Sequence, residues 1–499
     1  MKQFFKFVLA SVVAIIVTGI LFILVIVVIV AASGDKTVVV ESNSILQISF
    51  NIPVTERTPD DPFVKLGITD PKAIGLNDVL ADIAKAKTDK HIKGIFLDES
   101  GFTPAQASSE EIRNALIDFK TSGKFIVAYS EVYEQGFYYL ASVADKVYIN
   151  PKGMFLFHGF NQQITFLKGA LDKLGIEAQI IKVGTYKSAV EPFFLTKMSP
   201  ANKLQVTSYL GSLYDHFLTG ISQSRHINKD SLFEIANDLK IRFPEDALKY
   251  HLVDGMKYKD EVLDELVFDD FKGKAHSDEN ESTIRIVNMW DYTKAVPETD
   301  KKEKKESKNQ IAMIYASGDI IGGEGDDNSI GSEKISQALR DARLDTSIKA
   351  VVFRVNSPGG SSLASDVIWR EVMLTKKAKP IIVSMGDYAA SGGYYISCAA
   401  DSIFAEPNTI TGSIGIFAVL PNMQKFFNDK LGVTFDGVKT GKYADLGDIS
   451  RPLSPEERDI LQNEVDRGKY FSPSFGGRML PRTVSPVFNP KSLICDCDT

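Results

Sequence analysis

A chain of 499 residues, 44% hydrophobic and 24% charged, has ordinary globular composition and ample material for a core, with room for about two to four domains. Its net charge of −7 argues against nucleic acid as the main partner, because phosphate-binding surfaces carry a basic excess. Three cysteines, Cys398, Cys495 and Cys497, provide neither a disulfide framework nor a four-ligand zinc site.

Phe7 to Ala32 is an uncharged apolar run of 26 residues preceded by Lys2 and Lys6. A helix needs about 20 apolar residues to cross a bilayer core, whereas the apolar core of a cleaved signal peptide has about 7–15. Residues 1–33 are therefore expected to hold a short cytoplasmic tip and a transmembrane signal anchor. The lysines keep the N-terminus inside. The expected location is the cytoplasmic (inner) membrane, single-pass, in contact with lipid through this helix, with the body on the extracytoplasmic (periplasmic) side.

A first module is expected over 44–290. Ser44-Ile-Leu-Gln-Ile-Ser-Phe alternates like a strand, Leu76 to Lys87 has helical spacing, Ile92 to Leu97 reads as a buried strand, and 109–122 reads as a helix. A strand from Lys124 to Tyr129, a helix after Gln135 and a short strand from Lys146 to Ile149 follow. A long helical stretch then runs from Ser199 through Ser224, with further helices over 228–239 and 244–252. Residues 298–308 are almost wholly charged and read as a solvated linker. The second module, 309–469, repeats the order: a strand from Gln310, helix 332–342, strand 348–355, helix 363–376 and strand 380–385. Strands alternating with helices predict an α/β fold with helical crossovers. From 470 to 499, Pro473, Pro481, Pro486, Pro490 and several glycines interrupt any periodicity. By the repeat, closing helices should stand here, and the expectation is a truncation or a shifted reading frame, with a genuine alternative tail as the other reading.

The duplication extends to the details. Lys124 to Asp145 matches Lys379 to Asp401, and Leu174-Gly-Ile…Val183-Gly-Thr-Tyr-Lys187 matches Leu431-Gly-Val…Thr440-Gly-Lys-Tyr-Ala444. In register, Ser391 faces Gln135, and Lys187 faces Ala444. One copy keeps a candidate nucleophile and the other a candidate base, which implies a single active site shared between the halves.

Ser391 lies in Ala389-Ala-Ser-Gly-Gly-Tyr, after a strand and at the start of a helix. Small neighbours there permit close backbone approach, and amides at such a turn can meet an oxyanion. A plain helix N-cap serine is the alternative. The second copy has no histidine to serve as base. All six (His91, His158, His216, His226, His251, His276) lie in the first copy, in contexts that read as structural. Lys187, in Gly-Thr-Tyr-Lys-Ser-Ala-Val-Glu-Pro-Phe, is the better base. A free lysine has a pKa near about 10.4 and must be desolvated to act as one; a solvated loop lysine is the alternative. Arg354-Val-Asn-Ser-Pro-Gly-Gly-Ser follows a buried strand, so Gly359 and Gly360 either offer bare amides or form a simple strand–helix turn. The first copy has Leu97-Asp-Glu-Ser-Gly-Phe instead. No metal site and no cofactor motif is read.

Taken together, Gly-Thr-Tyr-Lys-Ser-Ala-Val-Glu-Pro-Phe and Asn-Ser-Pro-Gly-Gly…Ala-Ser-Gly-Gly-Tyr-Tyr closely resemble the signal peptide peptidase A family of membrane-anchored Ser-Lys proteases, in its long two-module form. The resemblance runs from residue 1 to about 469. It implies tandem modules of repeated β-β-α units related to the Clp protease and crotonase group. It implies Ser391 as nucleophile, Lys187 as general base, and Gly392 with one of Gly359 or Gly360 as oxyanion donors. Ser413, in Thr411-Gly-Ser-Ile-Gly, would hydrogen-bond the lysine amine. The implied protein is a bowl-shaped homo-oligomer on the membrane that degrades released signal peptides and similar hydrophobic peptides, without metal or cofactor. The family continues past 469 with helices that help assemble the serine module, and this chain departs there. An inactive membrane-anchored scaffold is the rival reading. A crotonase-type acyl-CoA enzyme is a further one, disfavoured by the extracytoplasmic location.

Overall fold

The computed structural model describes residues 2–32, 39–65, 69–98, 101, 103–267, 285–295, 308–326 and 328–470. Residues 298–307 of the expected linker, His276 and residues 471–499 of the expected tail lie outside the described residues.

Two parallel sheets carry the fold, one in each half. The first has the strand order Gly255–Met256, Lys146–Phe155, Phe125–Tyr133, Ile92–Leu97, Ser44–Ile48, Arg285–Asn288. The second runs Gln310–Ser317, Ile348–Ser357, Ile381–Ala390, Ser402–Phe404, with Ile410–Gly412 also on Ile381–Ala390. Both sheets are parallel throughout. Parallel strands covered on both faces read as continuous apolar runs, and Ile126, Val127, Ala128 and Tyr129 are accordingly all buried. Helices Leu76–Thr88 and Gln106–Lys120 cover the first sheet, as Ser332–Leu344 and Ser362–Ala378 cover the second. Val79, Ile83, Ile112 and Leu116 belong to one core cluster, Leu339, Ile368, Val372 and Phe353 to a second, and Phe96, Val127 and Tyr129 to a third.

Residues Lys2–Ala32 form a helix of 31 residues whose Phe7, Leu9, Ile15 and Ile16 are exposed. Among the described residues no helix is long and apolar enough to cross a membrane; the side chains of 22–32 lie outside them.

The structure departs from the sequence expectation in two places. The Lys146–Phe155 strand runs past Ile149, because Met154 and Phe155 pair with Val132 and Tyr133 beyond a register shift. Two strands that periodicity did not reveal, Glu177–Lys182 and Phe417–Asn422, pair antiparallel across the halves. This ribbon splices the lysine module to the serine module. Helix Pro455–Tyr470 caps it: Arg458 and Gln462 donate to the Ile180 and Lys182 carbonyls at 2.8 and 3.3 Å.

A buried polar network makes the second junction. Arg354 Nε and one of its terminal nitrogens donate to the Glu56 carboxylate at 2.8 and 3.2 Å, and Glu111 accepts at 2.7 Å. Asn356 donates to Glu56 at 2.7 Å, while Asp387 accepts from both the Ser108 amide and its hydroxyl at 2.9 and 2.7 Å. Burial pushes the Glu111 carboxyl up, and the Arg354 guanidinium opposes that shift. Arg354, Asn356 and Asp387 stand on the strands that lead to the candidate site.

Candidate active site

Strand Ile381–Ala390 ends at Ser391, which turns the chain into the short helix Gly392–Ser397. Ser391 has φ +51° and ψ −116°, a region that L-residues occupy only when the surroundings impose it, at a cost of about 1–3 kcal/mol. The Ser391 N–H donates to Gly412 O at 2.8 Å, and Ser391 O accepts from the Tyr395 N–H at 2.9 Å. Its side chain makes no capping bond, which removes the N-cap alternative. Oγ instead meets Lys187.

Lys187 follows the strand Glu177–Lys182 and is 3% exposed. Its Nζ lies 3.2 Å from Ser391 Oγ, 2.7 Å from Ser413 O and 3.2 Å from Ser413 Oγ. The antiparallel ribbon sets this meeting. Phe417 pairs with Lys182, and the Val183 N–H donates to Ile416 O at 3.3 Å, so the segment carrying Ser413 runs beside the one carrying Lys187. No carboxylate pairs with the amine among the described residues, and burial alone lowers its pKa from 10.5 to about 8. The solvated-lysine alternative therefore fails.

Gly359, Gly360 and Gly392 crowd against the serine, and each has a reason to lack a side chain. A Cβ on Gly359 would stand 2.8 Å from both Ser391 Cβ and Gly392 N, and one on Gly360 would stand 2.2 Å from Ile320 O. Both have positive φ, +112° and +155°. The Gly359 N–H is already committed to Ser357 Oγ at 3.1 Å. Among the described residues no acceptor engages the Gly360 or Gly392 N–H, so these two amides are open to an incoming oxygen. Strand Asp319–Ile321 braces the turn, with Ile320 N–H donating to Gly359 O and Ile320 O accepting from Ser361 N–H.

The structure thus gathers Ser391, Lys187, Ser413, Gly360 and Gly392, with Gly359 shaping the turn. The described histidines stay apart: His216 pairs with Glu110, His91 with Asp89, and His158 meets a backbone carbonyl. Sequence reasoning missed Glu56, Glu111 and Asp387 as supports of the glycine turn. Their partners lie hundreds of positions away, and no local pattern announces them. No metal-ligand group forms among the described residues.

The profile of peptidase family S49 matches residues 118–269 and 373–471. The chain is 38% identical over 420 residues to Protease 4 of Haemophilus influenzae, covering 83% of this chain and 67% of that protein. It is 32% identical over 397 residues to the chloroplastic serine protease SPPA of Arabidopsis thaliana, covering 79% of this chain and 57% of that one. The chain thus spans about two thirds or less of the length of these relatives. A solved structure of the 1510-N membrane-bound stomatin-specific protease with a substrate peptide overlaps 50% of this chain and 91% of its own, at 11% identity and TM-score 0.27. With both its lysine and its serine segments inside the matched regions, the chain belongs to peptidase family S49.

Proposed function

We propose that this protein is a membrane-anchored serine endopeptidase that cleaves released signal peptides and similar hydrophobic peptides with a Ser391–Lys187 dyad. The observation that carries the reading is a lysine amine, sealed from water and without a carboxylate, 3.2 Å from the hydroxyl of a conformationally strained serine. Neutral Lys187 takes the Oγ proton as Oγ attacks the substrate carbonyl carbon. The carbonyl oxygen, now negative, is held by the Gly392 and Gly360 N–H groups. Lys187 then delivers its proton to the leaving amine, and the C–N bond breaks. Water, deprotonated by the same amine, hydrolyses the Ser391 ester and returns the proton to Oγ. Ser413 holds the amine in line through its carbonyl and hydroxyl.

The apolar run Phe7–Ala32 supports the anchor, and the lysines before it support an extracytoplasmic body on the inner membrane. Two observations favour a homo-oligomer. Segments 161–166 and 434–439 occupy, in the repeat, the places of the two strands in the cross-module ribbon. Neither belongs to a sheet among the described residues, so a second copy can pair there.

The test is labelling with a fluorophosphonate probe. Wild-type chain should label at Ser391, and Ser391→Ala should lose both label and peptide hydrolysis. Labelling that persists in Ser391→Ala would sink the assignment.

A further inference from the structure

The lysine module keeps the shape of a substrate cleft without its chemistry. Gln135 and Gly136 stand where Ser391 and Gly392 stand in the other copy. The strand pairs Val132–Met154 and Tyr133–Phe155 repeat the pairs Tyr388–Ile410 and Ala389–Thr411. Beside Gln135 opens a cavity of about 370 Å³ to which neither Lys187 nor Ser391 contributes. Leu156, Phe160, Leu213 and Phe217 form an apolar wall. The Gln135 Oε1 is held by the His158 N–H at 2.9 Å. Gly392 packs against the backbone of Gly360, but Gly136 packs against the Thr103 side chain. Among the described residues the Thr103 side chain thus fills the place that the glycine turn takes beside Gly392.

An independent observation comes from the serine module. Asn408 lines the same cavity and is 6% exposed. Its Nδ2 faces Gln106 O and Glu110 Oε2 at 3.5 and 3.4 Å, which orients the amide. Its Oδ1 has no hydrogen-bond donor among the described residues. The next residue, Thr409, donates to Gly386 O at 2.8 Å, and Ile410–Gly412 pairs with the strand that ends at Ser391. The cavity wall is thus continuous with the backbone that carries the nucleophile.

We propose that this cavity is a second, non-catalytic peptide-binding site. It takes an extended segment with an apolar side chain against Phe160 and Phe217. The ligand class rests on the peptidase reading above; the site itself rests on the duplication and on the apolar cavity beside Gln135.

The experiment uses the full chain carrying Ser391→Ala, in detergent, with an end-blocked Leu/Ala-rich peptide bearing photo-leucine. Crosslinks are mapped by mass spectrometry. The expected result is two clusters, one around position 391 and one around Phe160 and Phe217. Adding Leu156→Trp, which fills the cavity, should remove only the second cluster. Phe160→Ala, which strips the apolar wall without overpacking, should give the same selective loss. Crosslinks confined to the position-391 cleft would overturn this proposal and leave the peptidase reading standing. A second cluster unchanged by both substitutions would overturn it as well. No crosslink at either place would overturn both readings together.

Discussion

Lys187 gives the most discriminating prediction, because its burial ties activity and stability to one proton. The folded pKa is about 8 and the ordinary value is 10.5. That difference corresponds to roughly 3 kcal/mol by which the protonated amine disfavours the folded state. The folded value lies below the unfolded one, so the unfolded chain binds this proton more tightly. The destabilisation is therefore fully present below about pH 8 and fades as pH rises toward 10.5. Integrated from about pH 7 to about pH 9, the wild type should gain roughly 1.4 kcal/mol relative to Lys187→Met, which has no such proton. Denaturant unfolding of both chains at several pH values measures this directly. In parallel, kcat/KM for an apolar peptide should fall about tenfold per pH unit on the acid side, because only the free amine is a base. Its midpoint should lie near pH 8. An acid limb centred near 10.5, or parallel stability curves for the two chains, would refute the desolvated-base argument.

Three further substitutions probe the parts around the dyad. Ser413→Ala removes the 3.2 Å contact to the amine but leaves the carbonyl at 2.7 Å; kcat should fall about 10–100-fold with KM little changed, measured by steady-state kinetics. Gly359→Ala forces a Cβ to 2.8 Å from Ser391 Cβ at a positive φ. It should cost about 1–3 kcal/mol of stability and disable fluorophosphonate labelling, read by thermal unfolding and gel fluorescence. Arg354→Met leaves the buried Glu56 and the half-buried Glu111 without their cation. It should lower unfolding free energy by about 3–5 kcal/mol, and adding Glu56→Gln should recover part of the loss in a double-mutant cycle.

Much of this protein is determined by sequence alone. Parallel strands buried on both faces leave continuous apolar runs, as at Phe125–Tyr129 and Ala350–Phe353, and helices leave their own spacing. The α/β order and the duplication are therefore visible without coordinates. The two reactive groups were visible for another reason: each copy lost the one that the other kept, Gln135 for Ser391 and Ala444 for Lys187. Ser413 was legible only through resemblance, since an isolated serine after a glycine has no chemical signature. Tertiary structure alone decided the rest. The ribbon of Glu177–Lys182 and Phe417–Asn422 joins segments far apart in the chain, and its short strands carry no strong period of their own. That ribbon seals Lys187 from water and lowers its pKa. Burial of an amine depends on the neighbours that fold over it, and Gly-Thr-Tyr-Lys does not name them. The choice of Gly360 over Gly359 as an open amide likewise follows from where Ser357 Oγ points, a fact of packing rather than of sequence.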